Sequence, residues 1–232
     1  MQIEFSNVTR EYGAGDRKLK AVDGVSFGID AGEFVVILGH SGAGKSTLLN
    51  LLGGMDTATG GEITVNGRVI SNLNDNALAD YRAETIGFVF QFYNLIPTLT
   101  ALENVALTRS IVRSPLDAAG ALAMVDLGEH AGQFPAQLSG GEQQRVSIAR
   151  AIAKNPDILL CDEPTGALDS DTGIIILEML HKLCREQRKT VIIVTHNAVL
   201  AECADRVIRM RNGKIRDIAV NAEPKAIREV TW

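Results

Sequence analysis

The stretch Phe34-Val-Val-Ile-Leu-Gly-His-Ser-Gly-Ala-Gly-Lys-Ser-Thr-Leu-Leu-Asn-Leu-Leu52 reads as a strand, a glycine-rich turn and a helix in succession. Phe34 to Leu38 are consecutive apolar residues, the pattern of a strand buried on both faces. Gly39 to Ser46 fits G-x-x-x-x-G-K-[ST], and Thr47–Leu52 continues as an apolar helical run. That flanking context separates a phosphate-binding P-loop from an ordinary glycine turn. At Gly42 and Gly44 no Cβ keeps phosphate from the backbone. The amides of residues 42–47 are expected to point at the phosphates, helped by the helix N-terminal dipole. Lys45 is expected to neutralise β/γ oxygens and the Ser46 hydroxyl to coordinate Mg²⁺. The expected nucleotide contacts are thus Gly39, Ser41, Gly42, Ala43, Gly44, Lys45, Ser46 and Thr47. His40 fills an unconstrained position of the motif and reads as an exposed loop residue.

Two further runs, Ile158-Leu-Leu-Cys161 and Val191-Ile-Ile-Val194, match the first strand in character. Each ends in polar residues, Asp162-Glu163 and Thr195-His196. In a parallel sheet ligands sit beyond the carboxyl ends of the strands, where these residues fall. Asp162 is the acid expected to support Mg²⁺, and Glu163 beside it could polarise an attacking water. Two solvated loop carboxylates are the bland alternative, which the neighbouring P-loop and Pro164-Thr165-Gly166 disfavour.

The fold class is α/β: a P-loop core with a mainly parallel sheet, a small antiparallel β layer and an inserted α-helical lobe. Gln2–Thr9 and Lys20–Ile29 partly alternate polar and apolar, as half-exposed antiparallel strands do. Glu62–Val65, Asn66-Gly67 and Arg68–Ile70 spell a hairpin, since Asn-Gly supplies the positive φ angles of a type I′ turn. We expect one domain over 1–232, with a core from 1–91 and 156–220, a helical lobe over 92–155 and a tail over 221–232. The lone Trp232 reads as a tail residue or surface anchor.

A length of 232 residues suffices for a core without disulfides or metals. The net charge of −5 argues against a nucleic-acid partner, which would favour a basic patch. Cys161, Cys184 and Cys203 form no C-x-x-C, so neither a zinc site nor a disulfide framework is indicated, and a reducing cytosolic setting fits. The start, MQIEFSNVTREYG, lacks the blocks of a signal peptide. No apolar run approaches the roughly 18–20 residues needed to span a bilayer, so any membrane span is expected from another chain.

Leu138-Ser-Gly-Gly-Glu142 opens a helix expected over Glu142–Ala153. Ser139 and Glu142 spell an S-x-x-E capping box. Gly140-Gly141 leaves a bare helix N-terminus, which is also an anion site. The pattern does not choose between stability and phosphate binding. Likewise, Asp169 alone could be a helix N-cap before Thr172–Leu183, Tyr12 a surface tyrosine, and Gln91 and His196 polar loop residues.

Together these residues resemble the ATP-binding cassette (ABC) ATPase family over essentially the whole chain. Gly39–Ser46 matches Walker A, Ile158-Leu-Leu-Cys-Asp162 with Glu163 matches Walker B, and Leu138–Glu142 matches the signature. Gln91 matches the Q-loop, Ala167-Leu168-Asp169 the D-loop, His196 the switch histidine and Tyr12 the aromatic A-loop. Gly87-Phe-Val-Phe-Gln91 through Val105 and Pro164–Asp169 look like the macrolide-exporter and lipoprotein-releasing (MacB/LolD) group, whose members serve FtsX-type permeases. Glu142 stands where the commonest signature has glutamine, and Thr108–Gln137 is shorter than the group leads one to expect.

The resemblance implies a homodimer formed on ATP binding, with each ATP held between Walker A of one copy and Ser139, Gly140 and Gly141 of the other. It implies that Tyr12 stacks on adenine, Gln91 senses the γ-phosphate and Mg²⁺, Glu163 orients water, His196 holds the γ-phosphate and Asp169 crosses the interface. It also implies an integral membrane permease of FtsX type as partner and a peripheral place at the cytoplasmic face of the membrane. ATP hydrolysis would drive export, lipoprotein extraction or efflux, or alternatively signalling that moves no substrate.

Overall fold

The computed structural model describes residues 1–13 and 18–230, so the expectation for Trp232 lies outside the described residues. In chain order the elements are β1 (Ile3–Tyr12), β2 (Leu19–Ile29), β3 (Phe34–Leu38), α1 (Lys45–Leu52), β4 (Gly60–Val65), β5 (Arg68–Val69), α2 (Asp75–Glu84) and β6 (Ile86–Val89). There follow α3 (Ala101–Ala106), α4 (Ala118–Ala123), α5 (Gly140–Ala153), β7 (Ile158–Asp162), α6 (Ser170–Gln187), β8 (Thr190–Thr195), β9 (Arg206–Arg211) and β10 (Lys214–Val220).

The strands form two sheets. A six-stranded sheet runs β10-β9-β3-β8-β7-β6, parallel except for the β9–β10 edge. A four-stranded antiparallel sheet runs β2-β1-β4-β5. Side chains of the parallel strands alternate between two cores, as the pleat demands. Val35, Ile37, Leu160, Ile192 and Val194 pack with α1 and the antiparallel sheet. Phe34, Val36, Leu159, Cys161 and Ile193 pack against α5 and α6. Both faces being covered explains the uninterrupted apolar runs. The parallel α/β core and the antiparallel layer are both as expected.

Asn66 and Gly67 carry positive φ angles of 49° and 75°, the backbone of a type I′ hairpin between β4 and β5. The same dipeptide recurs at Asn212 and Gly213, with φ of 51° and 76°, and turns β9 into β10. Within 92–155 only α5 is long. A 3₁₀ turn at Leu107–Ser110 lies between the six-residue α3 and α4, and two more, Gly128–His130 and Pro135–Gln137, lie between α4 and α5. The described end of the chain is not loose: Ile227 and Val230 join the α5/α6 core, and Arg228 pairs with Glu178 on α6 at 2.5 Å.

The antiparallel layer depends on one close approach. Gly61 has φ +80°, and a Cβ there would lie 2.2 Å from the Asn7 carbonyl oxygen. Gly61→Ala is expected to cost about 1–3 kcal/mol of stability, the cost of a strained backbone conformation, with the clash adding to it. A urea midpoint equal to wild type would contradict this.

Candidate functional site

The P-loop is braced from both sides. Gly44 N-caps α1 with φ 97° and offers no side chain, so the first α1 amides keep no side-chain cap. A Cβ on Gly44 would lie 2.1 Å from the Ala21 carbonyl of β2. Gly213, from the β9–β10 turn, donates its amide to the Ala43 carbonyl at 3.0 Å. At Gly42, φ is +76° and a Cβ would meet nothing within 4 Å, so the backbone there borders open space. Lys45 is buried, and its Nζ donates to the carbonyls of Gly39 and His40 at 2.8 and 3.2 Å. The cation thus lies over its own loop with hydrogen-bonding capacity left for an anion. His40 is exposed, as its motif position suggests.

Beside the loop stand the ends of β7 and β8. Ser46 Oγ donates to Asp162 Oδ1 at 3.3 Å. Burial is the largest influence on Asp162 and raises its carboxyl pKa; neighbouring Glu163 also raises it, while Ser46 and Lys45 oppose. A cation at this spot would relieve that penalty. The donor set fits Mg²⁺, which binds oxygen and commonly takes one or two protein ligands with the rest from phosphate and water. No cluster of three His, Cys, Asp or Glu able to hold a metal occurs among the described residues.

Glu163 occupies the left-handed region at φ 47°, uncommon for a non-glycine residue and typical of functional sites. Its carboxylate accepts from Thr195 Oγ1 at 2.9 Å and His196 Nδ1 at 2.8 Å, and its amide donates to Val194 O at 2.9 Å. Gln91 packs over Gly166: a Cβ there would lie 3.0 Å from Gln91 Nε2. Tyr12, Ser41 to Thr47, Gln91, Asp162, Glu163 and His196 all line one groove of about 1040 Å³, together with Lys20, Ala21, Asn212 and Gly213.

Ser139, Gly140, Gly141 and Asp169 do not line that groove. They gather elsewhere: a Cβ on Gly141 would lie 2.3 Å from Thr172 Cγ2, and one on Gly140 2.8 Å from Tyr93 Oη. Ser139 caps α5 through a full capping box, Glu142 Oε2 accepting from its amide at 2.7 Å and its hydroxyl at 2.8 Å. The Ser139 amide, first, and then the hydroxyl hold the Glu142 carboxyl below its ordinary range. Asp169 caps α6, accepting from the Thr172 amide at 3.0 Å and hydroxyl at 2.8 Å. Two of the bland alternatives are therefore true locally.

Sequence reading missed two groups. Thr195 stands out only as a polar strand end, yet it holds Glu163. Gln144 is fully buried on α5, and its Nε2 donates to Pro164 O at 2.9 Å and Phe90 O at 3.3 Å. These carbonyls sit one residue from Glu163 and Gln91, so Gln144 ties α5 to both. Nothing in the local pattern gives a contact 54 residues apart. Gln144→Leu leaves both carbonyls without that donor, and a loss of about 1–3 kcal/mol is expected. Urea melts test it, and an unchanged midpoint would count against the clamp.

A family model described as ABC transporter matches residues 22–166. The chain is 46% identical over 229 residues to the macrolide export ATP-binding/permease protein MacB of Hyphomonas neptunium, covering 97% of this chain and 35% of that protein. It thus spans about a third of that relative's length. It is 46% identical over 222 residues to the uncharacterized ABC transporter ATP-binding protein MJ0796 of Methanocaldococcus jannaschii, covering 92% of this chain and 94% of that one. A solved dimer of the MJ0796 cassette, in a post-hydrolysis state bound to ADP and Pi, superposes with a TM-score of 0.86 at 43% identity, over 94% of this chain and 98% of the other.

Proposed function

The chain belongs to the ABC transporter family and resembles its MacB/LolD group, and from that membership we propose that it binds and hydrolyses Mg-ATP between two copies of itself to energise a separate FtsX-type permease. The observation that carries the proposal is a split. Residues 40–47, Asp162, Glu163, Gln91 and His196 share one groove, while Gly39 and Ser139 to Gly141, also read as phosphate donors, are not part of its lining.

In this mechanism the phosphates rest on the α1 amides and on Lys45, which exchanges its bonds to Gly39 and His40 for phosphate oxygens. Ser46, Asp162 and Gln91 would hold Mg²⁺, which would neutralise charge on the phosphoryl group. Glu163 orients the attacking water and accepts its proton. Thr195 and His196 keep the carboxylate from swinging away. His196, its ring largely exposed, is the group that would hold the γ-phosphate. Tyr12 stacks on adenine, a contact worth roughly 1–3 kcal/mol in comparable base stacks.

The second copy supplies Ser139, Gly140 and Gly141 to the γ-phosphate and Asp169 to the interface. Ser139 must then turn its hydroxyl proton from Glu142 to phosphate. Glu142 does not oppose the phosphate head-on, because its carboxylate is spent on the cap. The solved dimeric relative bound to ADP and Pi supports this arrangement.

No helix among the described residues is long and apolar enough to cross a membrane. The permease surface is proposed on the helical lobe, where Phe92, Ile96, Leu107 and Ile111 are exposed. Leu95, beside them in sequence, packs instead on the α5/α6 core. Arg150 clasps the carbonyls of Tyr93 and Asn94 at 2.9 and 2.6 Å. The exposed side chains are therefore the docking candidates.

Two tests follow from the roles. Glu163→Gln keeps the shape of the site but removes the base, so turnover is expected to fall about 10²–10⁴-fold while the Kd for ATP stays near wild type. Lys45→Ala is expected to lose binding itself. Phosphate release and calorimetry read the two, and a Glu163→Gln chain at normal turnover would remove Glu163 from its role. Separately, Phe92→Asp with Ile96→Asp is expected to abolish co-purification with the permease and to leave ATP affinity unchanged. Undiminished co-purification of the folded variant would move the docking surface elsewhere.

A further inference from the structure

Tyr12 is not a free surface ring. Its Oη donates to Asp56 Oδ2 at 2.6 Å. Arg10, two residues earlier on β1, grips the same carboxylate with both arms, Nε to Oδ2 at 2.9 Å and Nη2 to Oδ1 at 2.6 Å. The Arg10 guanidinium carbon also lies 4.6 Å from the centre of the Tyr12 ring. Asp56 Oδ1 accepts a further bond from the Thr57 amide at 2.8 Å. Each carboxylate oxygen therefore has two donors, and both Arg10 and Asp56 are largely buried.

We propose that Arg10 and Asp56 are positioning residues for the nucleobase, fixing the plane and the open face of the Tyr12 ring; the inference rests on the nucleotide reading of the groove. The tether at Oη prevents the ring from turning about its side-chain bonds. The guanidinium lies over one face, as cations do over aromatic faces. The other face is left for a base to stack on. Because the hydroxyl is already committed, Tyr12 meets the base through its face and not through a hydrogen bond.

Asp56 also sets where the platform stands. The Met55 and Asp56 amides donate to Asn50 O at 2.9 and 3.3 Å, so the segment carrying Asp56 hangs from the end of α1. The Glu11 amide donates to Thr59 Oγ1 at 3.0 Å and the Thr59 amide to Thr9 O at 2.8 Å, drawing the end of β1 to the same segment. α1 begins at Lys45. One rigid helix thus carries the phosphate cradle at its start and the anchor of the base platform just past its end. The spacing between triphosphate and base is built in before any nucleotide arrives, which lowers the entropy cost of binding.

The test compares two ligands on the full chain by calorimetry: Mg-ATP, and inorganic tripolyphosphate with Mg²⁺, which has phosphates but no base. For Asp56→Ala the Kd for ATP is expected to rise about tenfold, a large part of one stacking contact. The Kd for tripolyphosphate should stay within about twofold of wild type, since the P-loop is untouched. Arg10→Lys keeps the charge but loses the two-armed grip. It is expected to give a smaller loss, again for ATP alone, and serves if Asp56→Ala does not fold. Equal losses for both ligands would reduce the network to a structural brace and overturn the proposal, as would no loss for either. A wild-type chain that bound neither ligand would overturn the nucleotide reading itself.

Discussion

Parallel pairing of β3, β8 and β7 governs where the P-loop, the acid pair and the Thr195-His196 end stand. In that ladder Leu38 lies opposite Thr195, and Val194 opposite Asp162. The P-loop, the acid pair and the Thr195-His196 end therefore leave the sheet side by side. The strands that hold them are wholly inside the protein, with Val35, Val36, Ile37, Leu159, Leu160, Ile192 and Ile193 at zero exposure. A one-residue slip would exchange the two faces of a strand between two differently shaped cores. The register is thus set by packing that touches no ligand. The strain of Glu163 at positive φ is borne by this scaffold through the Val194 carbonyl.

Much of this was legible in the chain because the signals were local. Uninterrupted apolar runs gave β3, β7 and β8, the P-loop spacing gave α1, and Asn66-Gly67 gave the β4–β5 hairpin. The β9–β10 hairpin carries the same signal at Asn212-Gly213, but Arg206, Arg209 and Arg211 break the apolar run that would have flagged its first strand. The short β6 is only Ile86–Val89 with a glycine inside it. α2 buries only Leu78 and Tyr81, too few to make a visible stripe. In the groove, each motif residue could be named from pattern, but the long-range partners that hold Tyr12 and Glu163 could not. The Tyr12–Asp56 bond joins residues 44 apart, Thr195–Glu163 joins residues 32 apart, and neither pairing has a spacing rule.

The capping boxes show how one feature can carry two readings. Ser139 and Asp169 each do the ordinary work of a helix cap. Capping also fixes the chain around Gly140 and Gly141. In the proposed mechanism the same helix start would serve both as a cap and as the phosphate site offered to a second copy. Glu142 fits both roles, since its carboxylate keeps the Ser139 amide as a donor when the hydroxyl turns to phosphate.

The central claim is that one chain holds half of a nucleotide site. Sedimentation equilibrium of the Glu163→Gln chain, with and without saturating Mg-ATP, tests it most directly, because slowed turnover keeps the triphosphate in place. The expected result is the mass of one chain without nucleotide and of two chains with it. A single-chain mass at saturating Mg-ATP would contradict the shared site.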